Sequence, residues 1–299
     1  LERVVAESDK DVVVITHGGC WDGFCAAWLF HRVFPDAAYV PGYYGQKPPD
    51  VTGKRVFIAD FSYPCDVMLP MCEVTRSLVV LDHHKTAQTE LAELQFLAHI
   101  KETRIRPEVV FDNDKSGGRL TWEHLLIVDR DKMIFGGNSP WLMEYTEDRD
   151  LWRWNLPDSK AINAALRSYP LDFETWDVFS MMVPETFRAP GEAILRREAQ
   201  IVDQHCQHAV PIKLCGYSGL QVNATVMFSE IAGKLSERDG VDFGACWFVR
   251  SDGKKQWSLR SRGDDCDVSK IASFYGGGGH KNAAGFESGS VDAMYPVLQ

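Results

Sequence analysis

Short apolar runs alternate with longer stretches of helical spacing through the first half of the chain. The runs at Val12–Thr16, Ala38–Pro41, Arg55–Asp60 and Leu78–Asp82, with a weaker one at Val109–Phe111, have the length and β-branched content of strands. Phe24–Val33 carries apolar residues at helical spacing and is expected to follow a loop holding Asp22-Gly23. Ser116-Gly117-Gly118 precedes another apolar-periodic stretch, Leu120–Val128, so Ser116 is expected to cap a helix. Strands and helices in alternation predict a parallel sheet wrapped by helices.

The pattern then changes. Trp141, Trp152, Trp154 and Trp176 crowd the middle, and Pro184, Pro190 and Gly191 read as a break. Glu192–His208 reads as one polar-faced helix, a connector between domains. Beyond it come the shorter β-like runs Leu220–Val226, Phe243–Val249 and Gln256–Ser261. The fold class expected is α/β: a parallel-sheet domain over residues 1–190, a linker helix over 191–209 and a smaller α+β domain over 210–299.

Composition narrows the function classes. A chain of 299 residues can hold two cores, and 45% hydrophobic with 25% charged residues is ordinary for a globular protein. A net charge of −10 argues against holding long duplex DNA on a broad basic face. Short nucleotides stay open, because metal ions can supply positive charge locally. Eight cysteines without a CxxC pair, and no apolar run of membrane length, lead us to expect a reducing cytoplasm and no membrane partner.

The chemistry collects where apolar runs end. Leu78-Val79-Val80-Leu81 closes on Asp82-His83-His84, Val12–Ile15 runs into Thr16-His17-Gly18-Gly19-Cys20-Trp21-Asp22, and Val56–Ala59 runs into Asp60. Open α/β sheets bind ligands at the carboxyl ends of their strands. Glu147-Asp148-Arg149-Asp150 supplies further carboxylates, of which Asp150 is favoured because Trp152 and Trp154 could fix it by packing. A mixed Asp/His set suits manganese-type chemistry, and two metals commonly share a carboxylate. Asp60 is the natural bridge, with Asp22, His83 and Asp150 completing one metal and His17 serving the other. His84 is then free to touch the phosphate or the leaving oxygen, and Asp82 orients an imidazole.

Gly276, Gly277, Gly278 and Gly279 form a second signal. Four glycines contribute no side-chain packing, and make sense where backbone N–H groups approach an anion. With His280, Arg260 and Arg262 they are expected to form a pocket for a phosphate remote from the metals. Tyr43-Tyr44 and the tryptophans near Asp150 are candidates for stacking a nucleobase.

These motifs resemble the DHH phosphoesterase family over nearly the whole chain. His17 to Gly23, Asp60, Asp82-His83-His84 and an aspartate at 148 or 150 are similar to its catalytic domain. Ser258-Leu259-Arg260-Ser261 and Gly276–His280 are similar to the DHH-associated domain. The resemblance implies a Mn²⁺-dependent hydrolase that cleaves short single-stranded oligonucleotides or small nucleotide phosphates to 5′-mononucleotides through a metal-bridging hydroxide. It places the substrate in a cleft between the two domains. The likeness is greater to nanoRNases and pAp phosphatases than to RecJ-type exonucleases, and the apolar helices of the first domain offer a homodimer surface. One departure stands out: Cys20 occupies the place of the first of two aspartates. A cysteine there is either a soft ligand that shifts preference from Mn²⁺ or Mg²⁺ towards Zn²⁺ or Fe²⁺, or a silent position. An inorganic pyro- or polyphosphatase and a catalytically weakened nucleotide-binding module are the alternatives.

Overall fold

Five of the apolar runs pair side by side and in parallel. They are β1 (Val12–His17), β2 (Ala38–Gly42), β3 (Arg55–Ala59), β4 (Ser77–Asp82) and β5 (Glu108–Phe111), in the order β2-β1-β3-β4-β5. The structure is a computed structural model that describes residues 9–85, 87–128 and 138–289. Contacts between Cα atoms divide the chain into two units, Leu1–Glu192 and Ala193–Gln299.

Near-continuous apolar runs are required because both faces of this sheet are covered. Val12, Val14, Phe57, Ala59, Val79 and Leu81 pack with residues of α1 (Trp21–Val33) and α4 (Gly117–Val128). The same core takes in α5 (Trp141–Asp150), α6 (Ser159–Leu166) and α7 (Phe173–Ser180), with Trp176 fully buried. The alternate positions Val13, Ile15, Val56, Ile58, Leu78 and Val80 face α2 (Cys65–Val74) and α3 (Ala87–Ile100). In this strand order the chain leaves β1 in one direction and β3 in the other. The crevice at their carboxyl ends is the topological switch point where ligands bind in open α/β sheets. His17 ends β1, and Asp60 follows β3 directly.

Two boundaries differ from expectation. Helix α1 begins at Trp21 rather than Phe24, so Asp22 lies in its first turn and not in a loop. The connector helix, α8 (Arg188–Cys206), begins before Pro190 and Gly191, which the sequence marked as a break. Proline in a first helical turn forfeits no intrahelical hydrogen bond. Gly191 is there for a different reason: a Cβ on it would meet the Ala161 carbonyl oxygen at 1.7 Å. The boundary between the units falls inside α8, so its first turn belongs to the first unit and the remainder to the second.

The second unit holds a mixed six-stranded sheet. Its strands are β6 (Val210–Leu214), β7 (Tyr217–Asn223), β8 (Phe243–Val249), β9 (Lys255–Ser261), β10 (Gly278–His280) and β11 (Ala283–Ser288), in the order β10-β11-β9-β8-β7-β6. Only the β7–β8 pair is parallel. Residues of α9 (Phe228–Ser236) pack with Val222 and Cys246, and residues of α10 (Val268–Phe274) pack with Trp257, Leu259 and Phe286. Residues 290–299 of the expected second domain lie outside the described residues. Among the described residues no helix is long and apolar enough to cross a membrane.

Candidate metal centre

The ends of β1, β3 and β4 meet the first turn of α1 and the last residue of α5. Asp60 leaves β3 with φ 55°, a left-handed conformation uncommon for a residue with a Cβ, and its N–H donates to the Leu81 carbonyl at 2.9 Å. That turn buries its carboxylate beside the histidines. His83 Nε2 lies 3.0 Å from Asp60 Oδ1, 3.6 Å from Asp150 Oδ2 and 3.9 Å from Asp22 Oδ2. His17 Nδ1 lies 3.9 Å from Asp60 Oδ2. Three overlapping donor groups result: Asp22–His83–Asp150, His17–Cys20–Asp60 and Asp60–His83–His84. All six residues expected as metal ligands are therefore brought together.

Asp150 reaches the cluster from the end of a helix, whereas His17, Asp60 and His83 lie at or just past strand ends. The structure also separates it from Asp148. Asp148 is buried, and its carboxylate accepts the N–H groups of Asn155 at 2.8 Å and Leu156 at 3.3 Å. It closes the loop after α5 and takes no part in the donor groups. The expectation that Trp152 and Trp154 pack behind Asp150 is not met: Trp152 is 69% exposed, and its ring meets Trp154 edge-on at 5.0 Å.

Asp22 is held by an element that the sequence did not link to it. The first two N–H groups of α4 donate to its carboxylate, Gly117 to Oδ2 at 2.5 Å and Gly118 to Oδ1 at 3.0 Å. A helix N-terminus favours negative charge, so the start of α4 is a suitable partner for the buried Asp22 carboxylate. The approach needs glycine, because a Cβ on Gly117 would lie 2.4 Å from Asp60 Cβ. Ser116 caps the helix as expected, accepting the Arg119 N–H at 3.2 Å. Glu147, tied to Arg119 at 2.9 Å, accepts the Ser116 N–H at 3.3 Å. The Ser116-Gly117-Gly118 triplet was visible as a cap, but nothing in its spacing named the carboxylate it serves.

Asp82 is fully buried and orients the imidazole that follows. Its Oδ1 accepts the N–H groups of His83 at 2.8 Å and His84 at 3.1 Å, and lies 2.8 Å from His84 Nδ1. That hydrogen bond is the main reason the His84 pKa is raised. For Asp82 burial works upward, but the His84 hydrogen bond and charge outweigh it and hold the carboxyl below its usual range.

The remaining electrostatics describe a site short of positive charge. Burial, then the Asp22 carboxylate, pushes Asp60 up to about 7, and the same causes push Asp150 up to about 6. Burial opposes a charge on His83. The hydrogen bond to Asp60, with the charges of Asp22, Asp60 and Asp150, overcomes it and lifts the imidazole to about 9. Burial and the Asp60 charge keep the Cys20 thiol protonated, and burial with the neighbouring His84 lowers His17. His17 Nδ1 and Asp60 Oδ2 are both buried and neither has a hydrogen-bond partner. A cation between carboxylates and neutral imidazoles would satisfy these atoms, and the donor set fits a hard-to-borderline divalent ion.

The expected phosphate pocket is assembled only in part. A cavity of about 340 Å³ in the second unit is lined by Phe228, Phe248, Gln256, Arg260, Gly278 and Gly279, among others. Arg260 is anchored there, donating to Ser229 Oγ at 2.7 Å and to the Leu259 carbonyl at 2.8 Å. Arg262 is exposed and pairs with Glu237 instead, and His280 is exposed at the end of the short edge strand β10. The glycine block is mostly architecture. The Gly276 and Gly277 N–H groups close the end of α10 on Ser273 and Ala272, and a Cβ on Gly279 would strike Ala284 at 2.5 Å. Pairing of β10 with β11 accounts for Gly279, whereas a Cβ on Gly278 would meet nothing within 4 Å.

No family profile matches the chain. An uncharacterized protein of Acanthamoeba polyphaga mimivirus is 26% identical, over 98% of this chain and 71% of that protein. Among solved structures, an exopolyphosphatase-related protein from Bacteroides fragilis superposes with a TM-score of 0.51 at 14% identity, covering 98% of this chain and 94% of that one. A pGpG-specific phosphodiesterase from Vibrio cholerae gives 0.49 at 13% identity, covering 94% of each chain. RecJ of Thermus thermophilus with Mn²⁺ gives 0.42 at 14%, covering 95% of this chain and 50% of that one. At 14% identity, the Bacteroides likeness shows a shared α/β fold.

Proposed function

We propose that the first unit is a divalent-metal-dependent phosphoric ester hydrolase acting on short oligonucleotides or small nucleotide phosphates, with 5′-mononucleotides as products. The observation that carries this reading is the position of Asp60. Its Oδ1 is 3.0 Å from His83 Nε2, while Oδ2 faces His17, so one carboxylate serves both donor groups. Asp22, Asp60, His83 and Asp150 would hold one cation, and His17, Asp60 and Cys20 the other. Mn²⁺ is the first choice for this donor set, with Mg²⁺, Zn²⁺ and Fe²⁺ as competitors. Cations bound there supply a water that is nucleophilic at neutral pH and offset charge on the phosphate.

The chain's own groups complete the chemistry. Asp82 fixes the ring of His84 through Nδ1, which leaves the other ring nitrogen to donate to a phosphate oxygen or to the departing alkoxide. The α4 N-terminus fixes the Asp22 carboxylate by two hydrogen bonds, so it needs little reorganisation when a cation arrives. In the second unit, Arg260 with Gly278 and Gly279 would bind a non-scissile phosphate, with His280 at the rim. Arg262, Gly276 and Gly277 have no part in that role.

Two other readings use the same residues. An inorganic pyro- or polyphosphatase needs only the donor groups, and the Bacteroides protein of similar fold is exopolyphosphatase-related. A weakened nucleotide-binding module is the reading that the protonated Cys20 thiol favours. The test is hydrolysis by metal-stripped protein with Mn²⁺, Mg²⁺, Zn²⁺ and Fe²⁺ added back separately, on a 5′-phosphorylated dinucleotide and on pyrophosphate. We expect mononucleotides to be released only with metal. Turnover of pyrophosphate alone, or nucleotide binding with no turnover under any metal, contradicts the reading.

A further inference from the structure

Two exposed aromatic residues neighbour the first and last members of the chain of donor contacts from His17 to Asp150, Tyr44 by a ring contact and Trp152 by sequence. At one end Tyr44, 58% exposed, meets the His17 ring edge-on at 5.5 Å and rests on Phe61 at 5.0 Å. The contacts then run from His17 through Asp60 and His83 to Asp150, each step 3.9 Å or less. At the other end Trp152 follows Asp150 by two residues, which keeps their Cα atoms within about 7 Å.

Trp152 is displayed at a conformational cost. It has φ 56° and Trp154 has φ 55°, a region that bulky residues with a Cβ rarely adopt. The loop holds both by several contacts at once. The Trp152 N–H donates to the Arg149 carbonyl at 2.9 Å, and those of Arg153 and Trp154 donate to the Asp148 carbonyl at 2.8 and 3.3 Å. The Asp148 carboxylate takes the next two N–H groups, and Arg153 reaches the Asp114 carbonyl. Lys160 Nζ lies 5.6 Å from the centre of the Trp154 ring, which braces Trp152 from the side. A loop pinned this firmly around an indole that remains mostly in water is hard to explain by packing. Strain of this kind persists where the surrounding structure over-determines it, and it concentrates at ligand sites.

We infer that Trp152 and Tyr44 are stacking platforms for the nucleobases on either side of the scissile phosphate, and that they select a dinucleotide over base-free phosphates. The inference rests on the hydrolase reading above and names its substrate class more closely. Every base offers a π face, so the platforms recognise planar rings without reading sequence. Inorganic pyrophosphate gains nothing from either ring.

The test compares wild type, Trp152→Ala, Tyr44→Ala and the conservative Trp152→Phe and Tyr44→Phe variants in Mn²⁺-loaded protein. The substrates are a 5′-phosphorylated dinucleotide and two analogues, each lacking one base but keeping its sugar. Each alanine variant should lose about 10- to 100-fold in kcat/KM on the full dinucleotide. Each should lose nothing further on one of the two abasic analogues, a different analogue for each variant, and the phenylalanine variants should keep most of the activity. Equal losses on all three substrates would show that the rings only support the metal site, and would overturn the inference. So would no loss on the dinucleotide. If wild type splits pyrophosphate but none of the three nucleotide substrates, the substrate reading itself fails and the inference falls with it.

Discussion

The N–H of Gly117 donates to Asp22 Oδ2 at 2.5 Å, which brings the start of one helix onto the carboxylate of another. The same glycine leaves room for Asp60, since a Cβ would meet Asp60 Cβ at 2.4 Å and its backbone Cα at 2.7 Å. No rotamer change relieves a clash with backbone. Gly117→Ala should therefore displace Asp60 or α4, cost about 1–3 kcal/mol in stability, and reduce turnover at least roughly 100-fold. Gly118→Ala meets the Asp22 carboxylate at 3.0 Å and Cys25 Sγ at 3.1 Å, so its effect should be smaller. Chemical denaturation and steady-state kinetics on both variants check the order.

Asp60 gives a prediction about pH. Its folded pKa is about 7, against 3.8 for the ordinary carboxyl. The folded state therefore binds more protons between those values, and its stability falls as pH rises through that window. Metal-free protein should melt at a lower temperature at pH 7.5 than at pH 5, and a saturating divalent cation should remove much of the difference. Asp60→Asn should flatten the metal-free profile by several °C, on the order of 2–4 °C per kcal/mol, while abolishing activity. Melting curves across pH, with and without Mn²⁺, provide the check.

Cys20 gives a prediction about metal preference. Its thiol is protonated until a cation lies beside it, so thiolate ligation costs a proton that a carboxylate would not. Cys20→Asp should raise Mn²⁺ affinity by roughly tenfold or more and weaken selection for Zn²⁺. Competitive metal titrations of the two proteins measure it.

Asp148 and Asp150 should separate cleanly. Asp150→Asn removes a donor from the Asp22–His83–Asp150 group and should suppress metal-dependent turnover with little change in metal-free stability. Asp148→Ala leaves the buried N–H groups of Asn155 and Leu156 without their acceptor. That should destabilise by about 1–3 kcal/mol and loosen the loop that carries Trp152. Denaturation midpoints distinguish the two.

The parallel sheet was legible because buried strands in such sheets must be apolar on both faces, and their polar residues collect at the strand ends. Asp60 and His83 could be placed by that rule alone. Asp150 could not, since it ends a helix whose own pattern carries no sign of the sheet it approaches. Gly117 and Gly118 were read as a helix start, because which carboxylate a helix N-terminus meets is decided by long-range packing. The glycine block is ambiguous for a related reason: a Cβ is excluded equally by an anion and by a neighbouring strand, and at Gly279 the neighbour is β11. The exposure of Trp152 depends on positive φ values and carbonyl partners, which the residue string does not encode.

The most direct test of the central claim is a stepwise Mn²⁺ titration of metal-free protein, followed by electron paramagnetic resonance and by dinucleotide hydrolysis on the same samples. Two ions per chain are expected, with a spin-coupled signal that grows with the second equivalent and activity that rises with that signal. Asp60→Asn should lose both the coupling and the activity. Full hydrolysis in the presence of excess chelator, or coupling and turnover that survive in Asp60→Asn, would contradict the claim.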